Sequence, residues 1–257
     1  MADLRLPYSK PTSSLGDLLR HWESQGLLVT DRNMAEHHLR FIGYYRLRGY
    51  AHHFQQIATN ATGVRLHQFR RGSTFENIFD LYCLDRGLRS SLTAMLERIE
   101  VGVRTVISEK ASIAYGPHWF LSKIAFADDA HHQATDQIFR KILNERESAR
   151  RHNFLAHYRK TYSAPEIPPS WMMFELLSFG NISHIYAGLS SRLKKDIAAN
   201  FDISPETLTS WIWALSCLRN LCAIIVASGI EVLPSSQNKI RNCVPTLLRA
   251  RSHCTFL

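Results

Sequence analysis

Apolar residues along this chain recur mostly at intervals of three and four, the spacing that places them on one face of an α-helix. Leu15, Leu18, Leu19 and Trp22 form the first such face, with Ser13-Ser14 as N-cap ahead of it and Gly26 placed to close its far end. Asp31 caps a second helix that carries Met34, Ala35, Leu39 and Ile42 and leads into the aromatic and basic segment FIGYYRLRGYAHHF at 41–54. Residues 55–72 have little periodicity and read as a loop or short hairpin. Ser73-Thr-Phe-Glu76 fits a capping box, in which a serine hydroxyl and a glutamate carboxylate cover free amides. Behind it Phe79, Leu81, Leu88, Leu92, Leu96, Ile99, Val103 and Val106 keep helical spacing, which predicts a long helix, with room for one break, as far as Gly116-Pro117.

The second half reads in the same way. A helical stretch runs from about Asp129 to Tyr162, its charged middle RKILNERESARRH a solvated face. The segment from Ala164 to Ser170 holds three prolines and cannot continue a helix. Beyond it, in WMMFELLSFGNISHIYAGL, the side chains of Trp171, Phe174, Leu177 and Phe179 read as core. A shorter helix follows around 191–200. Ser204-Pro205-Glu206, a serine cap with proline in the first turn and an acid beside it, then opens the last helix. The apolar run from Trp211 to Val226 is interrupted by Arg219-Asn220 and is too short to span a bilayer, so it reads as a buried helix. There is no internal repeat and no run of alternating strands. The class is all-α, with residues 1–223 as one helical domain and 224–257 as an atypical tail that beyond Gly229 has weak periodicity and reads as poorly ordered.

Composition narrows the partners. Of the 257 residues 45% are hydrophobic and 21% charged, which excludes wholesale disorder. The net charge of +9 favours a polyanion such as nucleic acid, and no amphipathic basic helix stands out that would favour a membrane. Five cysteines, an odd number with no CxxC pair, point to reduced thiols in a cytosol. The opening MADLRLPYSKPTSS has no apolar signal core, and the expected location is cytoplasmic. The His pairs at 37–38, 52–53 and 131–132 point to different faces of a helix, so surface histidines, and neither a metal site nor a cofactor, are expected.

Four separated segments carry a resemblance: FIGYYRLRGY, the run FENIFDLYCLDRGLRSSL with IEVGVRT behind it, PPSWMMFELLSFGNISHIY, and SWIWALSCLRNLCA. In this order, over about residues 8–223, the chain resembles the Abi-like family, bacterial abortive-infection proteins of the AbiD and AbiF type. The resemblance implies a HEPN-like helical bundle with additional N-terminal helices. It also implies metal-independent ribonuclease chemistry, a homodimer with two active helices lining one cleft, and a phage-defence role with an unidentified phage or antitoxin partner. In such enzymes one helix carries an arginine, a polar residue and, after four to six intervening residues, a histidine. Cleavage by 2′-hydroxyl attack needs a group that moves protons near neutral pH, which suits histidine. It also needs fixed positive charge where the phosphorane becomes negative, which suits arginine.

The family run is RNxCAHHSRLWNR. This chain supplies Arg219, Asn220, Cys222 and Ala223 and then departs, with Ile224 and Ile225 where the resemblance implies histidines. Isoleucine can neither accept nor deliver a proton, so impaired or absent cleavage is expected. The departure has a pattern. Residues 223–231 can be encoded as GCC ATC ATA GTC GCC TCT GGA ATC GAG, and one cytosine inserted after the alanine codon turns this into Ala-His-His-Ser-Arg-Leu-Trp-Asn-Arg. Residues 224–257 are therefore read as the product of a shifted frame.

Arg219 and Asn220 are read as the residue of a catalytic motif, with a buried polar pair that bridges helices as the plain alternative. Glu100 and Arg104, four apart, form an intrahelical ion pair or support the site. Tyr44, Tyr45, Arg46, Arg48 and Tyr50 mix aromatics with positive charge as single-stranded RNA binding can use. The reading preferred for them packs the tyrosines between helices and ties a turn with the arginines. Arg192, Lys194 and Lys195 are a solvated helix face or a phosphate-contacting patch. A non-enzymatic RNA- or protein-binding defence module stands as the rival function.

Overall fold

The computed structural model describes residues 11–57, 65–144 and 153–223. Helices dominate and the one sheet among these residues has two strands, so the class is all-α. The described residues divide into two compact units at Ser90, each with its own hydrophobic core.

The first unit opens with α1 (Leu15–Ser24). Ser14 Oγ accepts from the Asp17 amide at 3.2 Å, and the Asp17 carboxylate accepts from the Ser14 amide at 3.3 Å. At the other end the Gly26 and Leu27 amides donate to the carbonyls of Glu23 and Trp22, with Gly26 at φ 92°. Only glycine takes that conformation without strain, which is why Gly26 is where the helix stops. Asp31 Oδ1 accepts from the Met34 amide at 2.9 Å and starts α2 (Arg32–Ile42), as its sequence predicts. Gly43 (φ 93°, ψ 137°) separates α2 from α3 (Tyr44–Ala51). A 3₁₀ turn over His52–Phe54 then feeds β1 (Gln55–Ile57), which pairs antiparallel with β2 (Arg65–Phe69), so the hairpin expected in 55–72 is present. Trp22, 1% exposed, centres this core, with the rings of Tyr44, Phe69 and Phe75 at 4.7, 6.3 and 6.3 Å.

The long helix α4 (Phe75–Tyr115) is unbroken over 41 residues. Its capping box is displaced by one residue from the expected pair. Thr74 Oγ1 accepts from the Asn77 amide at 3.2 Å and Asn77 Oδ1 accepts from the Thr74 amide at 3.0 Å. Ser73 instead donates to the Phe54 carbonyl at 3.4 Å, and Glu76 accepts from the Thr30 hydroxyl. Two candidate boxes overlap in Ser-Thr-Phe-Glu-Asn, and the bridge that joins Leu28 to both Ser73 and Phe75 fixes the backbone before Thr74, which selects the second. Phe75 and Ile78 enter the first core, whereas Leu96, Val103, Ile107 and Ala111 are buried further along. Leu84, Leu88 and Met95, at helical spacing between them, are exposed.

The second unit comprises the remainder of α4, then α5 (Asp129–Asn144), α6 (Asn153–Thr161), the short α7 (Ser170–Met173), α8 (Phe179–Gly188), α9 (Ser191–Ala198) and α10 (Pro205–Ala223). The single helical stretch expected over 129–162 is present as α5 and α6, with 145–152 outside the described residues. Trp119, Phe120, Phe139, Phe174, Phe179 and Tyr186 build the core and are each no more than 1% exposed. Ser170, fully buried, links this core to α4 through hydroxyl contacts with Ser108 at 2.7 Å and Ser112 at 2.9 Å. Phe174, Leu177 and Phe179 lie in the core as expected; Trp171 does not. It is 55% exposed, because the turn of α7 that buries Ser170 and Met173 leaves the residue after Ser170 outside. The last helix is likewise less buried than its composition suggests. Leu208, Ile212 and Ser216 form one buried stripe of α10, and the rest is partly or fully exposed. No described helix is long and apolar enough to cross a membrane. The tail expected beyond residue 223 lies outside the described residues.

Candidate functional site

Helix α10 is started by the signal read from the sequence: Ser204 Oγ accepts from the Thr207 amide at 3.2 Å. Glu206 sits in the first turn, where a carboxylate meets the free amides. Hydrogen bonding to its own backbone amide and to Ser204 holds it below the usual carboxylate range. The buried stripe Leu208–Ile212–Ser216 advances four residues at a time, and its next step would be Asn220. By that point the helix has left the core, and Arg219 and Asn220 are both exposed.

Arg219 is nevertheless not loose. Its Nε lies 3.7 Å from Oε2 of Glu100 on α4. The other carboxylate oxygen of Glu100 accepts from Nη2 of Arg104 at 2.7 Å. The same Nη2 donates to the Leu177 carbonyl at 3.1 Å, in the segment between α7 and α8. Nη1 of Arg104 reaches Oε2 of Glu175 at 3.6 Å. The exposures are graded: Glu100 12%, Arg104 14%, Arg219 47%, Glu175 62%. A largely buried ion pair thus lies within ion-pair distance of a half-exposed guanidinium. Nε of Arg104 is buried with no hydrogen-bond partner, so this pair carries a desolvation cost that is incompletely offset. A guanidinium has five N–H donors, so among the described residues one long ion pair through Nε leaves Arg219 with donors to spare. The cluster is two cations and two carboxylates. Its charges balance, and the half-exposed Arg219 is the cation it presents to solvent.

Of the residues singled out in the sequence, the structure therefore brings Arg219, Glu100 and Arg104 together. Glu175 and the Leu177 carbonyl complete the cluster, and nothing local in the sequence marks either: they meet Arg104 from more than 70 residues away. Lys194 is not a free cation. Its ammonium donates to the Ala187 carbonyl at the end of α8, and burial lowers its pKa. Lys195 and Arg192 are exposed on α9, an element separate from the Arg219 cluster.

Tyr44, Tyr45, Arg46, Arg48 and Tyr50 lie in the first unit and divide by role. Tyr44 packs on Trp22, and Tyr50, 7% exposed, donates its hydroxyl to Asp85 at 2.7 Å, so these two follow the packing reading. Tyr45 is 76% exposed, with Arg46 and Arg48 partly exposed around it. Of the histidine pairs expected at the surface, 37–38 divides between two environments, whereas His52 and His53 lie together on the 3₁₀ turn and are both partly buried. His38 stacks on Phe79 with centroids 3.7 Å apart, and burial lowers its pKa, while His37 is exposed. Among the described residues no group of three or more His, Cys, Asp or Glu side chains is placed to hold a metal ion.

Comparison with known proteins places the chain in a family. The family model described as Abi-like protein matches residues 37–223, from the second turn of α2 to the last described residue of α10, with Glu100, Arg104, Glu175, Leu177 and Arg219 all inside the match. It begins later than the resemblance read from the sequence, so α1 lies outside it, and it ends at Ala223, the residue after which the motif departs. No curated protein and no solved structure matches the chain. With well over half its length matched, the chain belongs to the Abi-like protein family.

Proposed function

We propose that this chain is an abortive-infection phage-defence protein built on a HEPN-type RNA-cleaving domain, and that in its present form it binds RNA with cleavage severely reduced or lost. The observation that carries the reading is Arg219: half-exposed on the last helix and within ion-pair distance of Glu100 in the Glu100–Arg104 pair. Arg219 presents a charge at a surface, which suits a group that neutralises a phosphorane. Family membership supports the defence role, and the end of the family match at Ala223 supports the shifted frame as the reason the histidines are missing. RNA is the expected partner because the substrate of this chemistry is a polyanion and the chain carries +9. In the homodimer that HEPN enzymes use, the Arg219 helices of two copies would line one cleft.

The rival reading, a non-enzymatic binding module, is favoured by Ile224 and Ile225 alone. A cleavage assay on structured and unstructured RNA, in the presence of EDTA, separates the two. The expected result is little or no turnover by this chain. A gene with one cytosine inserted after the Ala223 codon should yield robust metal-independent cleavage that Arg219→Ala abolishes. Inactivity of the frame-restored protein would leave the binding module standing; robust turnover by the present chain would refute the loss of activity.

A further inference from the structure

Between Glu36 and Glu76 the sequence holds six arginines, five histidines and no acid, the longest stretch of unbalanced positive charge in the chain. This stretch folds into the end of α2, α3, the 3₁₀ turn and the hairpin, and at its end the surface is concave. The concavity is lined by His52, His53, Gln55, Ile57 and Arg70.

Its walls are held in place. The Arg70 amide donates to the Phe54 carbonyl at 2.8 Å, and its side-chain Nη2 donates to the carbonyl of His53, so both ends of Arg70 are fixed to the turn. The Gln56 amide group donates to the Phe69 carbonyl at 3.1 Å, which ties the two strands beside it. Nδ1 of His52 lies 2.9 Å from Oε1 of Gln55. A side-chain carbonyl oxygen can only accept, so with this partner His52 donates through Nδ1, and Nε2 is the nitrogen left to face a ligand. One hydrogen bond to a carbonyl leaves Arg70 with further N–H donors in a fixed fork, the geometry that matches phosphate oxygens. His67 and Arg71 stand exposed nearby in sequence on the same hairpin. Among the described residues no carboxylate lines the concavity to compete with an anion.

We propose that this concavity is a phosphate-binding site that grips the backbone of single-stranded RNA, with Arg70 as the charged donor and His52 as the second contact. It lies in the first unit, distinct from the one that carries the Arg219 cluster. The phosphate chemistry stands on these residues; that the phosphate comes from RNA rests on the function proposed above.

The test titrates the full chain with inorganic phosphate, with uridine monophosphate and with a single-stranded RNA of about 15 nucleotides. Amide and histidine-ring NMR signals are followed, together with fluorescence anisotropy of the labelled RNA. All three probes should shift His52, Gln55 and Arg70. Arg70→Gln, which removes the charge, should weaken RNA binding about tenfold and lower the salt slope by about one, with the fold retained as read from the amide spectrum away from the turn. Shifts with phosphate and the mononucleotide but not with RNA would overturn RNA as the occupant. The absence of shifts at these residues with every probe, in the unaltered chain, would overturn the site itself, as would RNA binding by Arg70→Gln with the original affinity and salt slope. Cleavage is not read in this experiment, so a failure of the Arg219 reading is visible separately.

Discussion

Glu100 is held by two arginines of different character, and they predict different losses. Arg104 and Glu100 are largely buried, so Arg104→Met leaves a carboxylate with only the 3.7 Å approach of Arg219. That change should cost about 3 kcal/mol, measured as a lower urea midpoint at constant m. Glu175, 62% exposed, makes the weaker contact to Arg104, and Glu175→Gln should stay within about 0.5 kcal/mol of the parent. If the two variants were equally destabilised, the graded exposure would not be what ranks these contacts. Tyr50 gives a pH prediction of definite sign. Burial, and then its hydrogen bond to Asp85, push its phenol up to about 12, against about 10 when exposed. A folded-state pKa above the unfolded one means its contribution is complete below about pH 10 and is lost as pH rises from there towards about 12. Tyr50→Phe should remove that part of the alkaline loss of stability. Tyr186, also buried and also raised, should retain its own share.

At the level of elements, helix ends are the informative places. Nothing lies within 4 Å of where a Cβ on Gly43 would sit, so a reading by space alone predicts that alanine is harmless there. Its φ of 93° with ψ of 137° is a conformation that side-chain-bearing residues avoid, so Gly43→Ala should instead cost about 1–3 kcal/mol and disturb the α2–α3 junction, read from thermal unfolding. For α4, Thr74→Ala should cost about 1 kcal/mol as the loss of a cap, and more than Ser73→Ala, the reverse of the order the sequence suggests. These cases show what was legible. Helices with a polar cap and a periodic face, such as α1, α2 and α10, could be read directly, because both signals are local. The choice between overlapping caps at 73–77 was not, since a bridge from Leu28 makes it. Trp171 and the outer face of α10 are more exposed than the sequence suggests, because apolar spacing marks a face without stating whether anything covers it. At the candidate site, Arg219, Glu100 and Arg104 were each visible from motif and spacing, whereas their meeting, and the Leu177 carbonyl that steadies Arg104, depend on tertiary contacts.

On the scale of the whole molecule, positive charge is used in two ways. In the stretch between Glu36 and Glu76 it is dense and acid-free, the form that suits a backbone grip insensitive to sequence. In the second unit one half-exposed guanidinium is backed by a carboxylate, the form that suits a single position in a transition state. The two should therefore separate in the kinetics of the frame-restored protein. Arg219→Ala removes a charge that matters most when the phosphorane forms, so it should lower kcat by about a hundredfold or more while RNA affinity changes little. Arg70→Gln removes a contact made equally in ground and transition states, so it should raise KM about tenfold and leave kcat near its starting value. Single-turnover cleavage, with binding measured separately by anisotropy, distinguishes these outcomes. If both variants lowered kcat alike with affinity intact, the hairpin would belong to the chemistry, and the division between gripping and reacting charge would fail.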